Sequence, residues 1–551
     1  MFGSRLRQQQ PTLPVSMMWL HLSCAAVSLL LWLTPVAARV VHVPGDALTV
    51  QAGLDDLTNG DTVEIARAVY PELLTGPPLS YVMIGEFEPD SGEAARPFVC
   101  ATGLPGADTT GVFSLARFSR VIIENLRFQN GPMPDSALWY HRGIRSWADG
   151  VTMRNCVVDS TCNGFWQEED SIGAVITLED CEFRENLKHG VFSRTNNVIH
   201  AHNCSFTSLG TSETMLAICV GSSSFANCIF RGLQLSAAVF VLGQGFVIEN
   251  CVFGPCQTTA FQPVIETQEI GGYFGGNHFQ DCVYGSAVIY LRPDPNLLVE
   301  VRGNTFERCR GTGPQAFGVI NVLAETDADT GSCARITDNV FTGNNGTVVS
   351  NGVFIYYSKA ILNHNRFEPD SANGLPSVCM DTAWTWFLED SVLLRDNLFS
   401  GCGYAAVGCS IMDARQNWWG DASGPYHEGL NPDAMGDTIA GSLQFIPWYT
   451  DTNFTVAREP KTLLPHDLQL SVAPNPFNPS TSIRYDLPRA AHVTLRVVNV
   501  LGREVAVLAD EMKPAGSYHV TFDGTNLSSG VYFVRLEAGS FSQTRKLVLL
   551  K

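Results

Sequence analysis

The sequence predicts an all-β protein, a parallel β-helix solenoid followed by a small β-sandwich. Three observations predict it. A four-residue motif ending in an aromatic or apolar residue recurs twelve times through the middle of the 551-residue chain. The residues before each motif alternate with a period of two, the signature of a strand. The last 85 residues hold short alternating runs parted by turn residues. Composition agrees, since 49 Gly and 29 Pro supply many turns, and a charged share of 16% excludes a disordered chain or a coiled coil. The formal charge is −19, from 54 acidic against 35 basic residues, which argues against nucleic acid or an anionic membrane as partner.

The chain opens with Arg5 and Arg7, an apolar run from Met17 to Leu33, and Val36-Ala37-Ala38. A basic start, an apolar stretch and a small-residue end predict a secretory signal peptide over residues 1–38, cleaved after Ala38. The run is broken by His21, Ser23 and Ser28, so it suits a spanning helix poorly. No second long apolar run follows, and no transmembrane segment is expected in the mature chain.

Residues 39–455 form the solenoid. Leu48 to Leu57 is apolar at helical spacing and is expected to cap the open first coil. The recurring motif then reads Asn125-Leu-Arg-Phe128, Asn155-Cys-Val-Val158, Asp180-Cys-Glu-Phe183, Asn203-Cys-Ser-Phe206 and onward to Gln416-Asn-Trp-Trp419. Successive anchors lie 20 to 35 residues apart. Seven and five residues before each anchor, 22 of 24 positions are apolar. The phase of alternation flips across the Asn three residues before the anchor, so a short corner sits there, and Asn tolerates a left-handed backbone. Short third runs follow, such as Gly190-Val-Phe192 and Gly352-Val-Phe354. Three strands per coil with no helical period give a parallel β-helix.

Two residues before the anchor runs a ladder of Cys156, Cys181, Cys204, Cys228 and Cys251, continued by Asn277, Asn304, Asn339, Asn365, Asn397 and Asn417. Cys256, Cys282 and Cys309 make a second column, with Cys402 further on. Coils about 4.8 Å apart bring stacked cysteines within disulfide range by Cα distance. The favoured reading is a stack of small buried thiols, because Cys behaves as a small hydrophobe. Fifteen cysteines remain after cleavage (16 less Cys24), so at least one thiol is free in a monomer.

The same register assigns outward residues. Four before the anchor stand Glu124, Arg154, Glu179, His202, Ala226, Glu249, Gly275 and Arg302, with His200 beside His202. A solvated face with opposite charges stacked is the simplest reading. The sharper one is a shallow sugar-binding or catalytic groove with Glu179, His202 and Glu249 as candidate catalytic residues. Hydrolysis of a glycosidic bond needs two paired carboxylates, and nothing singles out a pair. No third ligand accompanies His200 and His202, so no metal site and no cofactor is expected. Trp139, Trp166, Trp384 and Trp386 occupy long irregular segments, and are the candidate ligand-binding residues because rigid scaffolds carry function on loops.

The repeat resembles the right-handed parallel β-helix superfamily that includes pectate lyases, polygalacturonases and many bacterial surface proteins. The solenoid's end, Asn417-Trp-Trp-Gly-Asp-Ala-Ser-Gly-Pro425 through Phe445-Ile-Pro-Trp448, and its start, His42-Val-Pro-Gly and Gly60-Asp-Thr-Val-Glu64 to Tyr70-Pro-Glu72, are similar to the terminal coil and entry cap of a bacterial β-helix group with no single activity. Fold likeness alone transfers no chemistry. Polygalacturonases carry an adjacent Asp pair in their coils, whereas Asp-Asp occurs here only at Asp55-Asp56 in the cap. Lys188-His189-Gly190 is similar to their His-Gly motif but lacks its partner motifs, and neither the pectate-lyase arginine motif nor a calcium-binding carboxylate cluster is present.

A linker spans residues 456–466, around Glu459-Pro460 and Pro465. Beyond it, residues 467–551 hold runs such as Val493-Thr-Leu-Arg-Val-Val-Asn499 and Val531-Tyr-Phe-Val-Arg-Leu536, which suggest an Ig-like sandwich of five to seven strands. Ala473-Pro-Asn-Pro-Phe-Asn-Pro-Ser480, Leu501-Gly-Arg-Glu504, Leu527-Ser-Ser-Gly-Val-Tyr-Phe533 and the terminal Lys546-Leu-Val-Leu-Leu-Lys551 resemble the C-terminal sorting domain of the type IX secretion system. That module is similar in turn to the Ig-like domain of flagellar hook-capping proteins. The resemblance implies export across an outer membrane, with the secretion machinery as one partner. The expected function is a secreted, surface-associated protein that binds glycan or another surface polymer. The alternatives are a polysaccharide lyase or glycoside hydrolase, and a non-catalytic structural envelope protein.

Overall fold

The computed structural model describes residues 38–452 and 469–550 apart from short internal stretches, the longest being 131–141, 208–214, 324–332 and 381–391. The expected signal peptide (save its last residue), the whole of the expected linker, Trp139, Trp384 and Trp386 lie outside the described residues. The chain divides into two compact units between Thr452 and Asn453.

In the first unit each coil is built on three strands, each pairing in parallel with its counterpart one coil on. Four coils add a short fourth strand (Gln234–Leu235, Gln257–Thr258, Val283–Tyr284 and Arg310–Gly311) that makes a small sheet of its own. In one coil they are Gly150–Arg154, Val157–Asp159 and Asn163–Gln167. The second strands form a fourteen-stranded sheet ending at Trp418–Trp419. The first and third strands join in one 28-stranded sheet, because Val239–Glu249 and Ile265–Gly275 run unbroken from a third strand into the next coil's first strand.

The corner between first and second strands explains the repeat. All twelve residues three before the anchor, from Asn125 to Gln416, have φ between 49° and 63°. Only a left-handed residue reverses the side-chain phase in so short a turn, which is why Asn, Asp and Gly dominate there. The anchor rings turn inward and stack. From Phe183 to Trp419 ten rings lie in one column, with centroids 4.7–5.2 Å apart and planes within 11° of each other.

Beside that column the asparagines form a hydrogen-bonded ladder. The Asn304 backbone N–H and its Nδ2 both donate to Asn339 Oδ1 at 2.9 Å, while Asn339 Nδ2 donates to Val301 O at 2.8 Å and to Asn365 Oδ1 at 3.0 Å. The same pattern links Asn277 to Asn304 and Asn365 through Asn397 to Asn417. The Cys251 N–H donates to Asn277 Oδ1 at 2.9 Å, which joins the two ladders.

The cysteines of both columns are buried free thiols. Burial pushes the Cys156 and Cys228 thiols up, so they stay protonated and inert. On treating the native protein with iodoacetamide, the half-buried Cys100 and Cys379 should label before the buried thiols. Cys156, Cys181, Cys204, Cys228, Cys251, Cys256, Cys282 and Cys309 should label only in denaturant. Peptide mapping that finds these eight modified at the rate of Cys100 would show that the coils open.

A six-residue helix, Val50–Asp55, caps the first coil and packs Val50, Gly53 and Leu54 inward. It is shorter than the expected run. Thr49 Oγ1 accepts from the Ala52 N–H at 3.1 Å, and the Glu72 carboxylate accepts from the Val50 and Gln51 N–H groups at 3.0 and 2.9 Å. Capping at Thr49 leaves Leu48 outside the helix and 85% exposed. Buried Asp61 ties the cap to the first strand. It accepts from the Arg39 and Thr58 N–H groups, both at 2.8 Å, and these donors hold its carboxyl below the usual carboxylate range. At the far end Gly424 (φ 83°) lies against the Trp448 indole, which leaves no room for a side chain.

The second unit is a sandwich of an antiparallel three-stranded sheet, Gln469–Ala473, Ser480–Leu487 and Gly516–Asp523, and a four-stranded one. The four-stranded sheet runs Glu504–Lys513, Ala491–Asn499, Gly530–Ala538, Phe541–Leu549. Ile483, Tyr485, Leu495, Val534 and Leu547 fill the core between them. The geometry explains the recurring tail residues. Asn475 Nδ2 donates to Lys546 O, and its Oδ1 accepts from the Val548 N–H, both at 2.8 Å. Phe477 then exchanges backbone hydrogen bonds with Val548 and Leu550, so Asn475 and Phe477 together clasp the terminal strand. Tyr532 closes its own turn by donating to Ser528 O at 2.9 Å.

Candidate functional site

The first strands present two outward columns. In one, Glu124, Arg154, Glu179, His202, Ala226, Glu249, Gly275 and Arg302 are successive register partners. The other runs Val82, Ile122, Thr152, Thr177, His200, Ser224. The three candidate catalytic residues thus share one column, with His202 next to Glu179 and Glu249 two coils further on.

Their surroundings differ. Arg154 Nε pairs with Glu179 at 2.7 Å and Nη1 with Glu124 at 2.9 Å, and the two glutamates push the guanidinium pKa further up. His202 Nε2 accepts from the Asn227 amide at 3.0 Å, and His200 Nδ1 lies 2.8 Å from Ser224 Oγ. Glu249 stands between Ala226 and Gly275 and is only 8% exposed, although its column faces outward. The Tyr273 ring leans across Gly275, where a Cβ would fall 2.1 Å from its Cε1. Burial, and then the charge of Glu249, raise the Tyr273 phenol above its ordinary pKa.

Three coils separate Glu179 from Glu249, about 14 Å at the usual spacing between strands. Glycosidases hold their carboxylates about 5–9.5 Å apart. Glu179 and Glu249 therefore lack the paired geometry of glycoside hydrolysis, and the column supplies an Arg-bridged pair of glutamates, Glu124 and Glu179, and a shielded carboxylate, Glu249. Among the described residues no group of three or more His, Cys, Asp or Glu side chains is placed to hold a metal ion.

Trp166 belongs to a different surface, the outward side of the third strands. Its indole stacks on Phe192 of the next coil, with centroids 3.7 Å apart and planes within 6°, and the Arg142 guanidinium of the preceding coil lies 4.7 Å from its centroid. His189 meets it edge-on at 5.9 Å and approaches Asn163 Oδ1 at 2.6 Å. Glu168 pairs with Arg142 and Arg145. Both faces of the indole are covered and Trp166 is 8% exposed, so it acts as packing between coils. The structure does not bring it together with Glu179, His202 or Glu249.

A shallow groove of about 550 Å³ opens on the first strands near the N-terminal end. Val82, Ile122, Thr152 and Thr177 form its floor, Gly150 and Gly173 deepen it, and Arg120 and Asp149 stand at one side. The sequence reading missed these residues. The column six before each anchor, read in the same register as the glutamate column, carries the signal that finds Thr152 and Thr177.

Residues 102–230 match the family model for a right handed beta helix region, and residues 471–550 match that of a secretion system C-terminal sorting domain. A search of curated proteins found no match. The solenoid is a right-handed parallel β-helix, and the tail marks the chain for export across the outer membrane to the cell surface or beyond. Among the described residues no helix is long and apolar enough to cross a membrane.

Proposed function

We propose that this exported β-helix protein binds an extended surface polymer, a glycan above all, along the outward side of its first strands, and holds it without cutting it. The carrying observation is the pairing of an open groove with a ladder in which Arg154 bridges Glu124 and Glu179 and fixes all three side chains. Polar groups fixed on rigid strands at a regular rise suit a repeating ligand, because ordering them adds little entropic cost on binding. The sorting tail supports the same reading by delivering the chain to where such polymers lie.

The mature chain, passed over immobilised polysaccharides and a cell-surface fraction, should be retained on at least one. Reducing ends and unsaturated uronate absorbance, followed in the same samples, should not rise. New chain ends would make the protein an enzyme, with unsaturated products marking a lyase. Retention on none of the materials would leave a structural envelope role as the better account.

A further inference from the structure

Fifteen non-glycine residues among those described have a left-handed backbone, and fourteen of them are polar. The exception is Phe118, with φ 61°. Asn or Asp tolerates this conformation through local hydrogen bonds, whereas a bulky apolar side chain is strained there. Burial does not offset the strain, since Phe118 is 79% exposed. A residue that is both strained and exposed gives the fold nothing.

Its place in the register is informative. Phe118 stands two residues before Arg120, which lines the groove. Arg120 pairs with Gly150, and Gly150 with Val175. The turn is one residue longer here than in the next coil, since Arg120 follows Leu115 by five residues and Gly150 follows its partner Ser146 by four. Ala148 in that shorter turn is fully buried, whereas Phe118 projects into solvent. The exposed ring thus belongs to the turn that leads into a groove-lining strand, at the end of the groove where Gly173 has open space beside it. The floor beyond it passes from apolar Val82 and Ile122 to the hydroxyls of Thr152 and Thr177 one coil apart. One cation, Arg120, and one anion, Asp149, balance in charge.

We infer that the groove is a saccharide-binding site for neutral glycan, with Phe118 as the platform on which the apolar face of a sugar ring stacks. This rests on the polymer-binding reading above and gives it an address. An aromatic surface takes the C–H face of a pyranose, while Arg120, Asp149, Thr152 and Thr177 offer donors and acceptors to its hydroxyls. Balanced charge favours an uncharged chain over a uronate or sulfated one.

The test is calorimetric titration of the full mature chain with hexasaccharides of cellulose, xylan, mannan and β-1,3-glucan, alongside thermal melting. At least one should bind. Phe118→Gly should weaken that binding about tenfold, the value of one lost aromatic contact. The same change should raise the melting temperature by about 2 °C, because glycine relieves the strain. Thr152→Val should weaken binding with melting unchanged. Undiminished binding by F118G, or a fall in its melting temperature, would overturn the inference, as would binding only to charged polymers that salt abolishes. If the chain is retained on a surface polymer while F118G is retained equally, the groove is wrong and the broader reading stands. Retention on nothing removes both.

Discussion

Replacing Asn339 by leucine is expected to destabilise the solenoid by about 2–5 kcal/mol, at two stranded donors of about 1–3 kcal/mol each. Asn339 is fully buried, and its carboxamide serves three coils at once. Without it the Asn304 N–H loses its partner, Asn304 Nδ2 keeps only its bond to Phe274 O, and the Val301 carbonyl loses one of its donors. Leucine matches the volume but offers no donor or acceptor, and water has no path to the interior. Cys228→Ala, two residues before its own anchor and equally buried, should cost only about 1 kcal/mol, since it removes one small apolar atom and strands no strong hydrogen-bonding group. Urea unfolding of the mature chain, followed by hydrogen exchange at the flanking strands, measures both. A cost for N339L no larger than that for C228A would mean that the ladder is packing alone.

That contrast bears on what the sequence could reveal. The corner was legible because a left-handed backbone restricts residue type, so Asn, Asp and Gly recur where φ is positive, from Asn125 to Gln416. The strands were legible because the core accepts only alternate side chains. The tail was legible from Asn475 and Phe477, whose types are set by hydrogen bonds and burial against the last strand. The cap helix was legible as a helix and misjudged in length, because Thr49 rather than apolar spacing decides where it starts.

Site geometry was less legible, for a physical reason. Alternation tells which side of a strand a residue faces and says nothing of what leans over it from the next coil. Glu249 faces outward by register, yet Tyr273 crosses Gly275 and shields it. Trp166 was found as a loop aromatic, but Phe192 and Arg142, a coil away on either side, complete its packing. Phe118 carries no sequence signal at all, because the sign of φ cannot be read from a phenylalanine. Nor does register find it, because its turn is one residue longer than the corresponding turn of the next coil.

The second large effect is expected at the centre of the aromatic column. Phe306→Ala should cost about 3–5 kcal/mol, the usual price of emptying a buried phenylalanine site. Phe306 is fully buried and stacks on Phe279 at 4.8 Å and on Phe341 at 4.9 Å, so the cavity is walled by rings that cannot move inward without leaving their own neighbours. Phe306→Leu separates the two contributions. It keeps most of the volume and loses both stacks, each about 0.5–1.5 kcal/mol, so it should cost about 1–3 kcal/mol. Phe183→Leu provides the comparison, because Phe183 stacks on Phe206 along the column while its register partner on the other side is Val158. It should cost less than F306L by roughly one stack. Equal costs at the two positions would mean that ring stacking adds nothing and that phenylalanine recurs for its size. Because each coil touches only its neighbours, the damage should also be local: hydrogen exchange should quicken in the strands Thr305–Glu307 and Val340–Thr342 and stay unchanged at Arg127–Gln129. Loss of protection along the whole solenoid would instead show that the column couples the coils into one cooperative unit, and that a breach at one ring is felt at every other.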